Sequence, residues 1–209
     1  MKEGKVIVGF SNPYVALYNN AGGTVTYTDG RRLARGVKVS LDVDSSDDND
    51  FYADDSVAET ENGQFTGGTA NLTVDGLLSE SEKFIAGLPE PESVAVGDGE
   101  VKVYKHGVKA VPPYLGIGFI VQYRSGGKDT YVPIILTKAK FQTAKLEANT
   151  REKEISWQTQ DLVADLSRDD TVDQNWKWVV EDQDTKAKAD AILRHLLNVA
   201  EAAPQTTEE

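Results

Sequence analysis

The stretch YLGIGFIVQYRSGGKDTYVPIILTKAKF, residues 114–141, constrains this chain most. Two runs rich in Val, Ile, Leu and aromatic residues flank Gly126-Gly127, the turn chemistry of a β-hairpin. Strands of this length need neighbours on both sides, so a mainly β fold follows. In the second run, alternation predicts Ile135, Thr137, Ala139 and Phe141 on one face. Ile134, Leu136, Lys138 and Lys140 then fall on the other.

Other segments carry the same period. KVIVGFSNPYVALY, residues 5–18, reads as a strand interrupted by a turn at Asn12-Pro13. GVKVSLDVD, residues 36–44, puts Val37, Val39, Leu41 and Val43 on a buried face, with Lys38, Ser40, Asp42 and Asp44 on a wet one. FTGGTANLTV, residues 65–74, is a further strand. PEPESVAVGDGE, residues 89–100, reads as a loop that runs into a strand at Val101–Tyr104. EKEISWQTQDLVADL predicts a strand with Ile155, Trp157 and Thr159 on one face, and NWKWVVED leads into a last short strand.

Two segments have helical spacing instead. Leu77, Leu78, Phe84, Ile85 and Leu88 share one side, with Asp75 or Ser79 as the expected cap and Gly87-Leu88-Pro89 as the stop. Ala189, Ile192, Leu193, Leu196, Leu197 and Ala200 form the stripe of a C-terminal helix. The expected fold is therefore mainly β with α: an antiparallel β-sandwich or barrel flanked by one internal and one C-terminal helix. One domain is expected over residues 1–203, including a long acidic loop at about 42–64, with 204–209 as a disordered tail.

The net charge of −12 is unevenly placed. Between Val39 and Glu82 there are twelve carboxylates and no Lys or Arg, while the rest of the chain has 22 basic and 22 acidic residues. A neutral body with one acidic sector repels nucleic-acid phosphates. No apolar run reaches the ~20 residues of a membrane span, and nothing at the start resembles a secretory leader. Cysteine is absent, which excludes disulfides and thiol nucleophiles and suits folding in a reducing cytoplasm.

Catalytic and metal-binding patterns are weak. Asp44, Ser46, Asp48 and Asp55 partly fit a calcium loop, but Asn49 stands where glycine is wanted and a strand precedes the loop. His106 and His195 have no nucleophile motif around them, and two histidines without cysteine make no ordinary zinc site. Gly116 and Gly118 lack the third glycine and following helix of a dinucleotide fingerprint. Neither enzymatic activity nor a cofactor is expected. Lys138, Lys140, Lys145, Arg151 and Lys153 form a basic cluster. It is either a wet strand face or a docking patch for the acidic sector of a neighbouring copy.

In order along the chain, several motifs resemble the major tail tube proteins of long-tailed bacteriophages, of the phi13-like family. KVIVGFSNPYVA resembles the opening strand, and FYADD at Phe51–Asp55 the aromatic-Tyr-Ala-Asp motif after a long acidic loop. LTVDGLLSESEKFIAGL resembles the strand-then-helix unit, and residues 114–141 the central hairpin. EANTREKEISWQTQDL and NWKWVVEDQDTKAKADAIL resemble the closing segments.

The resemblance implies a virion structural protein made in the bacterial host cytoplasm. Its subunits form hexameric rings that stack into a tube, the conduit for DNA ejection. Partners implied are further copies of the chain and the tape measure, tail terminator, distal tail and tail-assembly chaperone proteins; genomic DNA passes without specific binding. Residues 42–64 correspond to the loop that reaches an adjacent ring, with Asp47, Asp48, Asp50, Phe51, Tyr52, Asp54 and Asp55 at its tip and return. Two apolar rings among five aspartates call for cover from another subunit. Ser40, Asp42 and Asp44 are the candidate lumen face, since a DNA conduit should not be basic. The alternatives are another virion ring protein, such as a tail terminator or connector, or a soluble calcium- or carbohydrate-binding β module.

Overall fold

The computed structural model describes residues 4–47, 49–53, 56–61, 63–150 and 158–200, with the backbone alone for 49–53 and 56–61. The strands are β1 (Val6–Ala21), β2 (Thr24–Arg32), β3 (Gly36–Ser45), β4 (Asn49–Ala53), β5 (Ser56–Glu61) and β6 (Phe65–Val74). After helix α1 (Ser79–Ala86) come β7 (Glu92–Val96), β8 (Gly99–Val103), β9 (Leu115–Ser125), β10 (Lys128–Phe141), β11 (Gln160–Ser167) and β12 (Lys177–Val179). Helix α2 (Lys186–Leu196) closes the order. The fold is mainly β, with every strand pair antiparallel and two helices alongside.

The hairpin expected at Gly126-Gly127 is β9–β10, and it lies at the centre of the main sheet. That sheet runs β2-β1-β9-β10-β11-β6-β3, with β12 on β10. It curls until β1 comes beside the start of β3, where the Phe10 ring lies against Gly36. The concave side encloses the larger core, built from Leu72, Leu115, Ile117, Phe119, Leu136, Phe141 and Leu162 with Ile85 of α1. Phe10 meets Phe119 there edge-on, with centroids 5.6 Å apart.

A second, smaller core lies on the opposite face of β9, under α2. Tyr14, Tyr27, Ile120 and Ile135 meet Ala189, Leu193 and Leu197 there. Gly116 and Gly118 sit on this face because the cover is close. A Cβ on Gly116 would enter the Tyr27 ring, and one on Gly118 would stand 2.5 Å from Leu197 Cδ1. The two glycines of β9 are seats for a ring and a helix.

Three expectations change. The alternation assigned to β10 fails because a bulge between Leu136 and Ala139 inserts an extra residue opposite Ile117–Leu115. Ile134, Leu136, Ala139 and Phe141 therefore share the concave core, and Ile135 faces α2. The turn expected at Asn12-Pro13 is a second bulge, inside one continuous β1, with Asn12 at φ 52°. Segment 92–103, expected as a loop entering a strand, is a separate two-stranded hairpin.

The helix ends differ as well. Leu78 is the N-cap residue of α1 and is exposed, with no side-chain cap; Asp75 instead accepts from the Arg35 backbone N–H at 3.0 Å. Gly87 does stop α1, in the left-handed conformation. In α2, Leu196 and Ala200 are exposed, and the contact stripe is Ala189, Leu193 and Leu197. Strand β11 begins at Gln160; Ile155 and Trp157 lie outside the described residues. The expected tail at 204–209 does too.

Replacing Gly118 by Val should lower stability by about 1–3 kcal/mol, the usual effect of overpacking a filled core. Urea unfolding followed by Trp fluorescence reads this directly.

Candidate assembly surfaces

Strand register builds a polar face on the convex side of the β10–β11–β6–β3 half of the sheet. Lys140 stands opposite Asp165, Asp165 opposite Thr69, and Thr69 opposite Asp42, one row across four strands. The neighbouring rows hold Asn71 with Ser40, and Asp161 with Thr73 and Lys38. Asn71 Nδ2 donates to Asp42 at 2.9 Å, Thr73 Oγ1 to Asp161 at 2.6 Å, and Gln142 Nε2 to Asp165 at 2.8 Å. A groove of about 660 Å³ lies over this face, with Ser40, Asn71, Asp161 and Lys145 among its walls.

Two groups separated in the sequence reading are thus brought onto one surface. Ser40 and Asp42, read as an acidic lining, share it with Lys140, read as part of a basic patch. Across the face Asp42, Asp44, Asp161 and Asp165 are set against Lys38 and Lys140, while Lys138 is paired with Asp170, so the two signs interleave with a small acidic excess. The signal that finds Asp161, Asp165, Thr69 and Asn71 is register, which a single strand does not carry.

Lys138 is committed within the fold. Its side chain is only 14% exposed, and Nζ donates to both Asp170 oxygens at 2.8 Å. The rings of Tyr18 and Tyr114 lie 5.2 and 4.8 Å from the ammonium. Tyr18 Oη closes the cluster, donating to Asp170 Oδ2 at 2.9 Å and accepting from the Asp170 N–H at 3.0 Å. Lys138 and Tyr18 hydrogen bonds hold the Asp170 carboxyl below its ordinary value. Lys145 lies in the segment after β10, and Arg151 and Lys153 fall outside the described residues. Lys140 joins Lys138 at Tyr114, its ammonium 5.7 Å from the ring centroid.

The acidic segment 42–64 is not one loop. Strand β3 runs on to Ser45, and β4 and β5 form a hairpin in which Phe51 is opposite Glu59 and Tyr52 opposite Val57. The arm is closed at its base by Ser46, whose N–H donates to the Gln64 carbonyl and whose Oγ accepts from the Gln64 N–H, both at 2.9 Å. Next to it Phe65 stacks on Trp176 at 4.6 Å, and Arg168 Nε donates to the Phe65 carbonyl at 2.8 Å. Asp47 is exposed at the arm's start, and Asp50 lies on β4; Asp48, Asp54 and Asp55 lie outside the described residues. Of the calcium-loop residues, Asp44 is in a strand and Ser46 serves the arm's base, while Asp48 and Asp55 fall among the undescribed. Among the described residues no three His, Asp or Glu side chains stand close enough to hold a metal ion.

The histidines stay apart from any nucleophile arrangement. His106 lies 3.7 Å from a Glu82 oxygen, and His195 is exposed on α2. On α2 the side chain that anchors the helix to the sheet is Asp190. Its Oδ1 accepts from Asn12 Nδ2 at 2.6 Å and Tyr14 Oη at 2.9 Å, which ties the helix to the β1 bulge. Among the described residues no helix is long and apolar enough to cross a membrane. No protein-family model and no curated sequence matches the chain.

Burial, reinforced by Asp190, pushes the Tyr14 phenol up to about 12, and burial does the same for Tyr18. Unfolded tyrosine ionises near 10. The neutral phenols therefore add stability in full below about pH 10, and lose it as pH rises towards about 12. Urea midpoints should fall across that alkaline window, and Tyr14→Phe should flatten part of the fall. Phenolate absorbance in folded protein should appear later than in urea.

Proposed function

We propose that this chain is a non-enzymatic structural subunit that assembles as stacked rings into a phage tail tube. The observation that carries the reading is the polar convex face, taken with the order of motifs that resemble the tail tube family. DNA is held by clustered cations through counterion release. A surface that alternates Asp with Lys, and fills the gaps with Ser, Thr and Asn, offers a passing duplex no such cluster. On this reading Ser40 and Asp42, with Thr69, Asn71 and Asp165, belong to the lumen, and a face of interleaved charge with a small acidic excess replaces the uniformly acidic lining expected from β3 alone.

The β4–β5 arm supports the same reading. It is a hairpin with a fixed base, and fixed arms suit a contact that must reach a neighbouring ring. In a virion tail the inner surface and the arm belong to opposite demands: one must release its cargo, the other must hold a copy of itself.

Electron microscopy of concentrated purified protein with its tail-assembly chaperone tests the reading. Hollow tubes are expected. Closed rings that never stack would favour a tail terminator or connector, and a monomer at every concentration would overturn assembly altogether. Neutralising Asp47, Asp48 and Asp50 together to Asn should reduce ring stacking and leave monomer folding almost unchanged, since exposed charges contribute about 0–1 kcal/mol to stability. Sedimentation for assembly and circular dichroism for folding separate the two effects.

A further inference from the structure

The arm formed by β4 and β5 leaves the sheet at a weak point. Pairing of β6 with β11 stops at Gly68, opposite Leu166. On the other side Asp44 faces Gly67 and Ser45 faces Phe65, so Thr66 is an extra residue in β6. A bulge of this kind bends its strand and re-aims whatever follows. Strand β3 lies at the end of the sheet, so among the described residues no further strand flanks the root on that side. A lone two-stranded hairpin is marginal in water. Joined to a sheet through a bulge, it swings unless its root is braced.

The arm supplies no such brace of its own. Between Val39 and Glu82 the chain has twelve carboxylates and no Lys or Arg. Asp42 and Asp44, on the strand that leads into the arm, therefore repel its acidic residues instead of holding them. The brace comes from the segment between β11 and β12. Arg168 Nε donates to the Phe65 carbonyl at 2.8 Å, and Nη2 donates to the same oxygen. Nη1 donates to Gln174 Oε1 at 2.8 Å. Two prongs of a planar guanidinium orient a carbonyl in a way that a point-like ammonium does not. A side chain thus takes over where backbone pairing to β11 has ended.

A ring contact braces the same residue. Phe65 stacks on Trp176 with centroids 4.6 Å apart and planes 5° from parallel. Trp176 is tied to the centre of the fold: its carbonyl accepts from the Thr137 N–H of β10 at 3.1 Å, and Thr137 Oγ1 donates to the Asn175 carbonyl at 2.7 Å. Asp169 closes the connecting loop. Its N–H donates to the Asn175 carbonyl at 2.8 Å, and its Oδ1 accepts from the Thr171 N–H at 3.1 Å. A continuous path of contacts runs from the central hairpin through this loop to the root of the arm.

We propose that Arg168 and Trp176 are positioning residues that set the direction of the β4–β5 arm in the free subunit, so that the arm meets its partner already aimed. Both act through Phe65, one on its carbonyl and one on its ring. A preset arm docks without the ordering cost that a swinging one carries. What the arm meets rests on the tube reading; its direction before assembly does not.

The absence of cysteine gives a clean background for spin labels. Exposed Thr26 of β2 and Thr60 of β5 are replaced together, as Thr26→Cys and Thr60→Cys, and labelled. Double electron–electron resonance then reads the distance from sheet to arm in the unassembled full chain. One narrow distribution is expected. Arg168→Lys keeps the charge and loses the fork, so it should broaden the distribution roughly twofold while circular dichroism stays unchanged. Trp176→Leu should broaden it too. A broad distribution in the parent overturns the proposal whatever the variants do, and so does an unchanged width in folded Arg168→Lys. If Trp176→Leu fails to fold, the parent and Arg168→Lys still decide. Microscopy of the unlabelled protein keeps the two readings apart. Tubes from a parent with a broad distribution reject the preset arm alone; a narrow distribution in a protein that forms no tube retains the preset arm and rejects the tube.

Discussion

Close approach of two layers to the backbone of β9 is the constraint on which the rest of the structure depends. Gly116 admits the Tyr27 ring and Gly118 admits Leu197 and Leu193 of α2. Because the central strand is bare on that face, a helix can lie directly on it while Leu115, Ile117 and Phe119 point into the concave core. Buried area on both faces of one hairpin then supports strands that reach far beyond it. Tyr27 Oη donates to the Thr137 carbonyl at 2.8 Å, beside the bulge that reverses the faces of β10.

That bulge links the core to the polar surface. By adding one residue it puts Ala139 and Phe141 inside and sends Lys138 and Lys140 out together with Thr137's side of the strand. Lys138 is then caught by Asp170 and two tyrosine rings, and Lys140 comes into register with Asp165. Lys138 is thus not left as a loose cation. A desolvated ammonium needs a partner, and here aromatic faces and a carboxylate together supply it. The bulge in β1 does similar work at the other end, where Asn12 and Tyr14 share Asp190 and seat α2.

Much of the fold was legible in the sequence because sheet faces repeat every second residue. The central hairpin, β3, β6, both helices and the Gly87 stop are read from spacing and turn residues. The misreadings have identifiable causes. A bulge leaves no mark in composition, so alternation was carried straight through Leu136–Ala139. Val37 and Val43 alternate like core residues, yet β3 is an edge strand and both are about half exposed. The hairpin at 92–103 was hidden by its short strands and by acidic residues that also suit a loop.

The sequence by itself determined the class of fold, the absence of thiol chemistry and the place of the acidic sector. These depend on local period and residue counts, which need no partner. Tertiary structure alone decided which charges meet. The row Lys140–Asp165–Thr69–Asp42 joins four strands that lie far apart in the chain. The acidic and basic groups therefore look separate in sequence and lie interleaved in space. Register is a property of pairs of strands, and long-range pairing is set by how the buried faces fit together, not by either strand alone.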